Sequence, residues 1–333
     1  TGARVQASIE DYRDVMVSLF AEGAGAYVDV RTLESRLLYA RNNVDSQRET
    51  MDIVLAREDA GLVPYQDVTR ARSNLANTEA AIPLLVTMHE AARNRLAILL
   101  AKPPGALNEL LAEPYVAPEV STDIVLDLPA ELLRRRPDVR RSERNLAAQI
   151  ARIGEATADL YPSFSLTGIL SLTADTFDNL GDGLGWSLIP GVRWNLFTGG
   201  KIRGRIKAEE ALAQQALASY ELTVLNALGE VENNLVALRQ EEIRRDLLEV
   251  ATEASEQSVD LVNTEYLEGL TDFQSYLDAQ RVLFSQQDEL AKSGGQVIAY
   301  LVDLNRAMGG GWSLDDPDPD LPPQEETGAV NSG

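Results

Sequence analysis

The sequence predicts a mainly α-helical protein in which very long coiled-coil helices flank one short β-hairpin. Three observations support this fold class. Four long stretches, 6–58, 64–101, 202–266 and 272–308, have the apolar spacing of helices. Residues 163–198 instead alternate between apolar and polar side chains, as strands do. The first pair of long stretches also aligns with the second pair, which indicates an internal structural repeat.

The long stretches place apolar residues at coiled-coil intervals of three and four residues. In the third stretch these residues are Leu217, Tyr220, Val224, Leu228, Val231, Leu235 and Leu238. In the fourth they are Val297, Leu301, Leu304 and Met308. A helix of about 65 residues, at 1.5 Å per residue, is roughly 95 Å long. Helices of this length require a coiled coil or an α-helical barrel.

The internal repeat is centred on two helix-breaking turns, Gly61-Leu62-Val63 and Gly269-Leu270-Thr271. A shift of 208 residues superposes the two turns and aligns about 105 positions without a gap. Roughly one aligned position in seven is identical, which composition alone could approach. The gapless length and the shared Gly-Leu pair therefore carry the prediction of a repeat.

The composition excludes several classes of function. The chain has 333 residues and a formal net charge of −22, and an acidic protein repels the phosphates of nucleic acids. It contains no cysteine, and His89 is its one histidine. We therefore expect no catalytic residues, no metal site, no cofactor and no nucleic-acid partner. No run of about 18 apolar residues is present, so we also expect no transmembrane helix.

Two alternating runs, Ser163 to Thr173 and Trp186 to Phe197, predict a β-hairpin. Each run has the length of a tilted membrane strand, and Phe164, Trp186 and Trp194 near the ends suit a membrane interface. A water-soluble hairpin with one face on a core is the alternative. The membrane interpretation is favoured because the flanking helices offer no separate core and an isolated hairpin is marginally stable in water.

The predicted organisation has four parts. They are a first-repeat helical hairpin (1–101), a Pro-rich linker (102–129), a second repeat (130–313) and a disordered acidic tail (314–333). The second repeat comprises a helix (137–160), the β-hairpin (163–198) and a helical hairpin (202–308). Pro137 suits the first turn of its helix, where a backbone N–H is not needed.

Five motifs in this order resemble those of the TolC-like outer membrane factor family, the outer membrane efflux proteins. The first, residues 133–140, is an Arg-rich segment that ends in Pro-Asp-Val-Arg. The others are residues 161–166, 194–200, 269–273 and 277–281. The resemblance is closest to the lipoprotein branch that serves resistance-nodulation-division pumps.

The resemblance implies a homotrimeric, passive export duct for small molecules. Each protomer of the family gives four strands to a twelve-stranded β-barrel in the outer membrane. The helices form a hollow α-barrel across the Gram-negative periplasm, and an adaptor protein joins this duct to an inner-membrane pump. Outer-membrane lipid is then a further partner.

The first repeat departs from the family pattern because it begins only at its helix pair. About 80 residues with the first two strands have no counterpart in the sequence. The resemblance therefore implies an N-terminal truncation. The acylated cysteine of the lipoprotein branch would lie in that segment.

The resemblance also assigns functional residues at the two turns. Asp278 and Asp67 match acidic residues of a periplasmic aperture, and a ring of carboxylates attracts cations and repels itself. Arg281 and Gln274 lie within one turn of Asp278 and join this aperture site. The adaptor-contacting tips are Gly61, Leu62, Val63, Gly269, Leu270 and Thr271. The simpler alternative is that the charged residues are solvated and the turns only connect helices.

A second function stays open on the sequence alone. Long helical hairpins also occur in soluble periplasmic coiled-coil scaffolds and adaptor proteins. The β-hairpin discriminates between the two functions, because a channel needs one strand face toward lipid and one toward water. A scaffold needs only one dry face.

Overall fold

The computed structural model describes residues 2–112, 135–172 and 184–310. Seven elements follow in the order α1 (Gly2–Asp59), α2 (Tyr65–Leu99), α3 (Pro137–Ala158), β1 (Ser163–Leu172), β2 (Leu184–Arg193), α4 (Lys201–Glu268) and α5 (Phe273–Ala307). The predicted acidic tail lies outside the described residues, as do most of the predicted linker and the loop of the β-hairpin.

Four of the helices are as long as the sequence predicts, and the mainly α fold with one short hairpin is confirmed. Helices α1 and α4 contain 58 and 68 residues, and α2 and α5 contain 35 each. At 1.5 Å per residue, α4 is about 100 Å long. Across the described ranges no helix has an apolar stretch that could cross a membrane.

The two helical hairpins, α1–α2 (hairpin 1) and α4–α5 (hairpin 2), have matching backbones. Helices α2 and α5 begin and end at positions related by the same shift, since 65 + 208 = 273 and 99 + 208 = 307. The turns match as well. The Leu62 N–H donates to the Arg57 carbonyl at 2.9 Å, and the Leu270 N–H donates to the Glu265 carbonyl at 2.8 Å. These correspondences support the predicted repeat.

The chain divides into two compact units, and the first contains residues 1–12 and 137–226. In this unit α3 is tied to the start of α1 by two ion pairs, Arg140–Glu10 at 3.0 Å and Arg141–Asp11 at 2.7 Å. It is tied to α4 by a hydrogen bond from Gln149 to Glu209 at 2.7 Å. These polar contacts hold α3 against the start of α1 and against the first part of α4.

Strands β1 and β2 form an antiparallel sheet with register Ser163↔Arg193 through Leu172↔Leu184. Strand β2 begins two residues before the predicted run and ends four residues before its end. The next pair after Ser163↔Arg193 would be Pro162 opposite Trp194. Proline has no N–H to donate across the strands, so the pairing ends there. The Trp194 indole N–H donates instead to the Leu160 carbonyl at 3.2 Å.

The second unit contains residues 13–136 and 227 onward, and its core follows the coiled-coil pattern. Three of the seven predicted apolar residues on α4 pack against the predicted series on α5. The cluster consists of Val231, Leu235, Leu238, Val297, Leu301, Leu304 and Met308, with Tyr300 and Ala307. Arg136 closes this cluster, because its guanidinium donates to the Ala307 carbonyl at 2.6 Å and to Glu230 at 2.8 Å.

Helices α1 and α5 meet closely along one seam. A Cβ atom at Gly295 would overlap the Thr32 side chain, so only glycine permits this approach. Toward the turns, Arg36 pairs with Asp288 at 2.6 Å and Asn43 donates to Gln287 at 2.7 Å. Burial alone would raise the pKa of Asp288, but hydrogen bonds from Arg36 and Lys292 outweigh burial and lower it.

Candidate functional site

The two tip turns are built in the same way. Gly61 and Gly269 have φ angles of 71° and 78°, which side chains disfavour and glycine adopts freely. Leu62 and Leu270 follow directly, and both side chains are exposed. Each turn therefore presents one exposed leucine, next to the half-buried Val63 or Thr271.

A buried apolar cluster lies immediately behind both turns and joins all four helices of the hairpins. This tip cluster consists of Val54, Val68, Ala71, Tyr266, Phe273, Tyr276 and Leu277. Its aromatic rings are in contact, with centroids 5.1 Å apart for Tyr266 and Phe273 and 6.1 Å apart for Phe273 and Tyr276. The sequence reasoning did not single out these aromatics, although their helical spacing around Gly269 was a usable signal.

The structure brings three of the four predicted aperture residues together on the exposed face of α5. Gln274 Nε2 donates to Asp278 Oδ1 at 3.1 Å, and the Arg281 guanidinium lies 3.0 Å from the same oxygen. The Asp278 side chain is 55% exposed. An exposed pair of this kind contributes little to stability. Its aperture role stays a prediction.

Asp67, the fourth predicted aperture residue, lies in a different environment. Its side chain is only 12% exposed and lies 3.9 Å from Arg70. Burial raises the pKa of Asp67, the charge of Arg70 acts in the opposite direction, and the charge of Asp272 raises it further. The structure therefore places Asp67 at the hairpin contact rather than on the exposed face with Asp278.

Asp272 belongs to the predicted tip motif 269–273, but its role as a helix cap was not predicted from the sequence. Its carboxylate caps α5 by accepting from the Ser275 N–H and the Ser275 hydroxyl, each at 2.8 Å. These hydrogen bonds lower the pKa of Asp272. The signal was present, because Asp272 is the first residue of the predicted stretch 272–308 and Ser275 follows three residues later.

The β-hairpin presents two faces of different chemistry. The register places on one face the exposed side chains of Phe164, Leu166, Leu170, Trp186, Leu188, Pro190 and Val192. The opposite face carries Ser163, Ser165, Thr167, Ser171, Ser187 and Arg193, with Ile169 and Ile189. Phe164 and Trp186 occupy the second and eighth of ten pairs, about 20 Å apart along the strands. Trp194 lies just beyond β2.

The side chains that the structure describes were compared with the requirements of a metal site. Among them, no set of three His, Cys, Asp or Glu side chains is placed to hold a metal. His89 faces Glu34, with 3.3 Å between its Nε2 atom and the carboxylate. Glu34 in turn pairs with Arg31 at 2.8 Å, so His89 belongs to a charged network.

Paired long helical hairpins and a strand pair with an exposed apolar face are the components of an outer-membrane channel protein. The chain belongs to the outer membrane efflux protein family, whose sequence model matches residues 1–102 and 128–310. The predicted family is thus confirmed. Its members are channel proteins of the Gram-negative outer membrane and not enzymes, in agreement with the sequence predictions.

Two relatives and one solved structure show the extent of this similarity. Nodulation protein T of Rhizobium leguminosarum bv. trifolii is 32% identical over 290 residues, which cover 86% of this chain and 62% of that protein. Outer membrane protein OprJ of Pseudomonas aeruginosa is 32% identical over 311 residues, which cover 92% and 64%. The outer-membrane channel OprN superposes with a TM-score of 0.83 and 37% identity, covering 93% of this chain and 70% of OprN. The chain thus spans less than two thirds of the length of these two relatives.

Proposed function

We propose that this chain is the outer-membrane component of a tripartite efflux system, a passive export duct for small molecules across the periplasm and outer membrane. The observation that carries the proposal is the continuous apolar face of the β-hairpin. Such an exposed face is unfavourable in water and suits the hydrocarbon core of a bilayer. In the soluble scaffold or adaptor alternative this face would pack on a core of the same chain, whereas its side chains are exposed.

The strands support a barrel built from several hairpins. Each strand has 10 residues, the length of a tilted membrane strand, and Phe164 and Trp186 lie near opposite ends of the apolar face. A two-stranded sheet has open edges, and lipid does not tolerate unpaired backbone groups. The hairpin therefore pairs with further strands. The family resemblance sets their number at twelve, four from each of three protomers.

A homotrimer is also supported by apolar side chains that the protomer leaves exposed on its helices. On α4 these include Leu225, Leu247, Val250 and Leu261. Exposed apolar side chains that recur along a helix favour a contact with another molecule. A symmetric copy of the same chain is the simplest partner for faces that repeat along the helix.

The tips are the proposed contact with the periplasmic adaptor, which connects the duct to an inner-membrane pump. Leu62 and Leu270 support this assignment because an exposed leucine in a turn contributes nothing to its own fold. Leu270→Asp is expected to weaken adaptor binding at least tenfold without lowering thermal stability. Leu62→Asp is the matched variant in the other turn. If both variants bind the adaptor as tightly as the wild type does, the turns only connect helices and do not contact the adaptor.

The decisive test is planar-bilayer conductance of the gene product that carries this sequence, purified from outer membranes and sized in detergent. The proposal predicts a trimer with small currents that prefer cations, as the exposed carboxylate at Asp278 requires. A water-soluble species without conductance would contradict the proposal and favour the scaffold alternative. Mass spectrometry of the same sample tests the proposed N-terminal acylation, which belongs to the lipoprotein branch.

A further inference from the structure

We propose that residues 193–207 form a binding surface for the head groups of anionic phospholipids. This basic segment runs from the last residue of β2 through the first two turns of α4. The inference rests on the proposed function, because that function places the β-hairpin in a bilayer. It adds the chemistry of the lipid that the protein binds where its helices leave the membrane.

The basic segment differs in charge from the chain as a whole. It contains Arg193, Lys201, Arg203, Arg205 and Lys207 and no acidic residue. The whole chain, in contrast, has 52 acidic and 30 basic residues. A local surplus of positive charge attracts anionic groups, and basic residues next to a membrane span strengthen its contact with anionic lipid. The charge pattern therefore favours a negatively charged partner at this place.

Most of these charges have no partner in the part of the protomer that the structure describes. Of the five basic residues, only Arg205 forms ion pairs with described residues, Asp159 at 2.9 Å and Glu155 at 3.8 Å, both near the end of α3. The other four side chains are exposed, and no described carboxylate pairs with them. At 3.6 residues per turn, Arg203 and Lys207 lie on nearly the opposite side of α4 from Arg205. Two positive charges therefore remain available on a side of α4 that does not face α3.

Exposed aromatic side chains lie beside the charges. Phe197 is 98% exposed, and Trp194 and Tyr161 are exposed as well. Full exposure of a phenylalanine to water is unfavourable. Tryptophan and tyrosine are typical of the boundary between hydrocarbon and head groups. A lipid surface therefore accounts for the aromatic and the basic residues together, whereas an acidic protein partner accounts only for the charges.

The dimensions of the basic segment fit one polar layer of a bilayer. Lys201 to Lys207 rise about 10 Å along α4, at 1.5 Å per residue. The head-group layer of one leaflet is about 5–8 Å thick, and flexible lysine and arginine side chains extend into it. The segment directly follows β2, whose apolar face suits the hydrocarbon core. The order of apolar strand, aromatic residues and basic residues therefore matches the change from hydrocarbon to head groups.

The test measures lipid binding by the gene product in detergent, with native mass spectrometry to count the bound lipids. The two probes are phosphatidylglycerol, which is anionic, and phosphatidylethanolamine, which is zwitterionic, with identical acyl chains. We expect the wild type to bind phosphatidylglycerol about tenfold more tightly. The triple variant Lys201→Gln, Arg203→Gln and Lys207→Gln should lose this preference and bind phosphatidylethanolamine like the wild type.

The matched control removes three exposed arginines elsewhere on the long helices. The combination of Arg41→Gln, Arg72→Gln and Arg239→Gln lowers the net charge by the same amount and should keep the lipid preference. The conservative variant Lys201→Arg with Lys207→Arg retains both charges and should also bind like the wild type. An equal loss in the control variant would overturn the proposal, because total charge and not this segment would then determine which lipid binds.

Two further results would overturn the lipid surface. One is a wild type that binds both lipids equally, and the other is a triple glutamine variant that keeps the wild-type preference. If that variant also dissociates into protomers, the charges join copies of the chain instead. In each case, conductance of the wild type in planar bilayers would leave the proposed duct intact. A wild type that neither conducts nor binds either lipid would refute the proposed function itself.

Discussion

The two hairpin tips share a backbone but differ in their side chains. Both turn at a glycine with positive φ, and each is followed by a helix of 35 residues. The first residue of that helix is Tyr65 in hairpin 1 and Phe273 in hairpin 2. Tyr65 is 59% exposed, whereas Phe273 is 1% exposed. The same turn therefore starts one helix at the surface and the other inside the core.

The two tips also differ in how the second helix of each hairpin is capped and in how exposed its acidic residue is. Pro64 precedes α2 without a side-chain cap, whereas Asp272 caps α5. The acidic residue of the first tip, Asp67, is buried against hairpin 2, while Asp278 of the second tip is exposed. A repeated backbone thus supports two roles. The aromatic residues of hairpin 2 pack in the tip cluster, and its exposed face carries the charges. Hairpin 1 supplies the apolar residues against which those aromatic rings pack.

The largest effect is expected from truncating the buried aromatic residue. Phe273→Ala should lower the free energy of unfolding by about 3–5 kcal/mol, because it opens a cavity in the tip cluster. The matched change in the other tip, Tyr65→Ala, should cost less than about 0.5 kcal/mol. Thermal unfolding of the protein in detergent, followed by helical circular dichroism, measures both. Equal losses would mean that the tips are not different in packing.

The two glycines should respond alike and thereby test the shared backbone. Gly61→Ala and Gly269→Ala each force a Cβ into a left-handed conformation, at a cost of about 1 kcal/mol. Apart from the two chain neighbours of each glycine, no heavy atom of the described residues lies within 4 Å of the place that the new Cβ would take, so no clash separates the two variants. The same unfolding measurement applies. A cost at one tip alone would contradict the common turn geometry.

Asp67 should make the stability of the protein depend on pH. The folded-state pKa of Asp67 is raised by burial, so its contribution to stability is complete below the ordinary aspartate pKa of about 3.9 and is lost as pH rises through the raised value. Asp67→Asn imitates the protonated carboxyl group and should therefore stabilise the protein at neutral pH. The advantage should shrink on acidification.

Asp278→Asn is the control for that experiment, since it removes a carboxylate of the exposed face. Unfolding curves recorded between pH 3 and pH 8 compare the two variants with the wild type. A destabilised Asp67→Asn protein at pH 7 would show that the Arg70 contact outweighs the cost of burial.

The smallest effect on stability is expected from the exposed pair. Replacing Asp278 and Arg281 together by alanine should change the free energy of unfolding by less than about 0.5 kcal/mol. Under the proposed function, the same double variant should raise ion conductance because it loosens the aperture. Conductance identical to the wild type would remove these residues from the aperture while leaving the fold comparison intact.

The fold could be predicted largely because its signals are local. Glycines at both turns mark the ends of helices, so the predicted stretch 64–101 differs from α2 by one residue at its start and two at its end. Alternation along β1 indicated its two faces correctly. The exposed neighbours of Asp278 were also predictable, because residues four before and three after it share a helix face.

Features that depend on contacts between hairpins could not be predicted in this way. Asp67 resembles any helix-surface acid in the sequence, and only the packing of the hairpins buries it. The Thr50 and Tyr276 hydroxyl groups are in contact although the two residues are 226 positions apart, so no local pattern links them. The end of β2 was missed for a related reason. Alternation continues to Phe197, while pairing ends opposite Pro162, which directly precedes the other strand.

The close seam at Thr32 and Gly295 limits how the two hairpins can move against each other. Sliding α5 by one turn along α1 would bring Ala291 or Ala299 to the place of Gly295, and either residue would carry a Cβ into the Thr32 side chain. The seam therefore blocks sliding of α5 along the axis of α1. If the tips widen, we therefore expect α5 to rotate about its contact at Gly295 rather than to slide along α1.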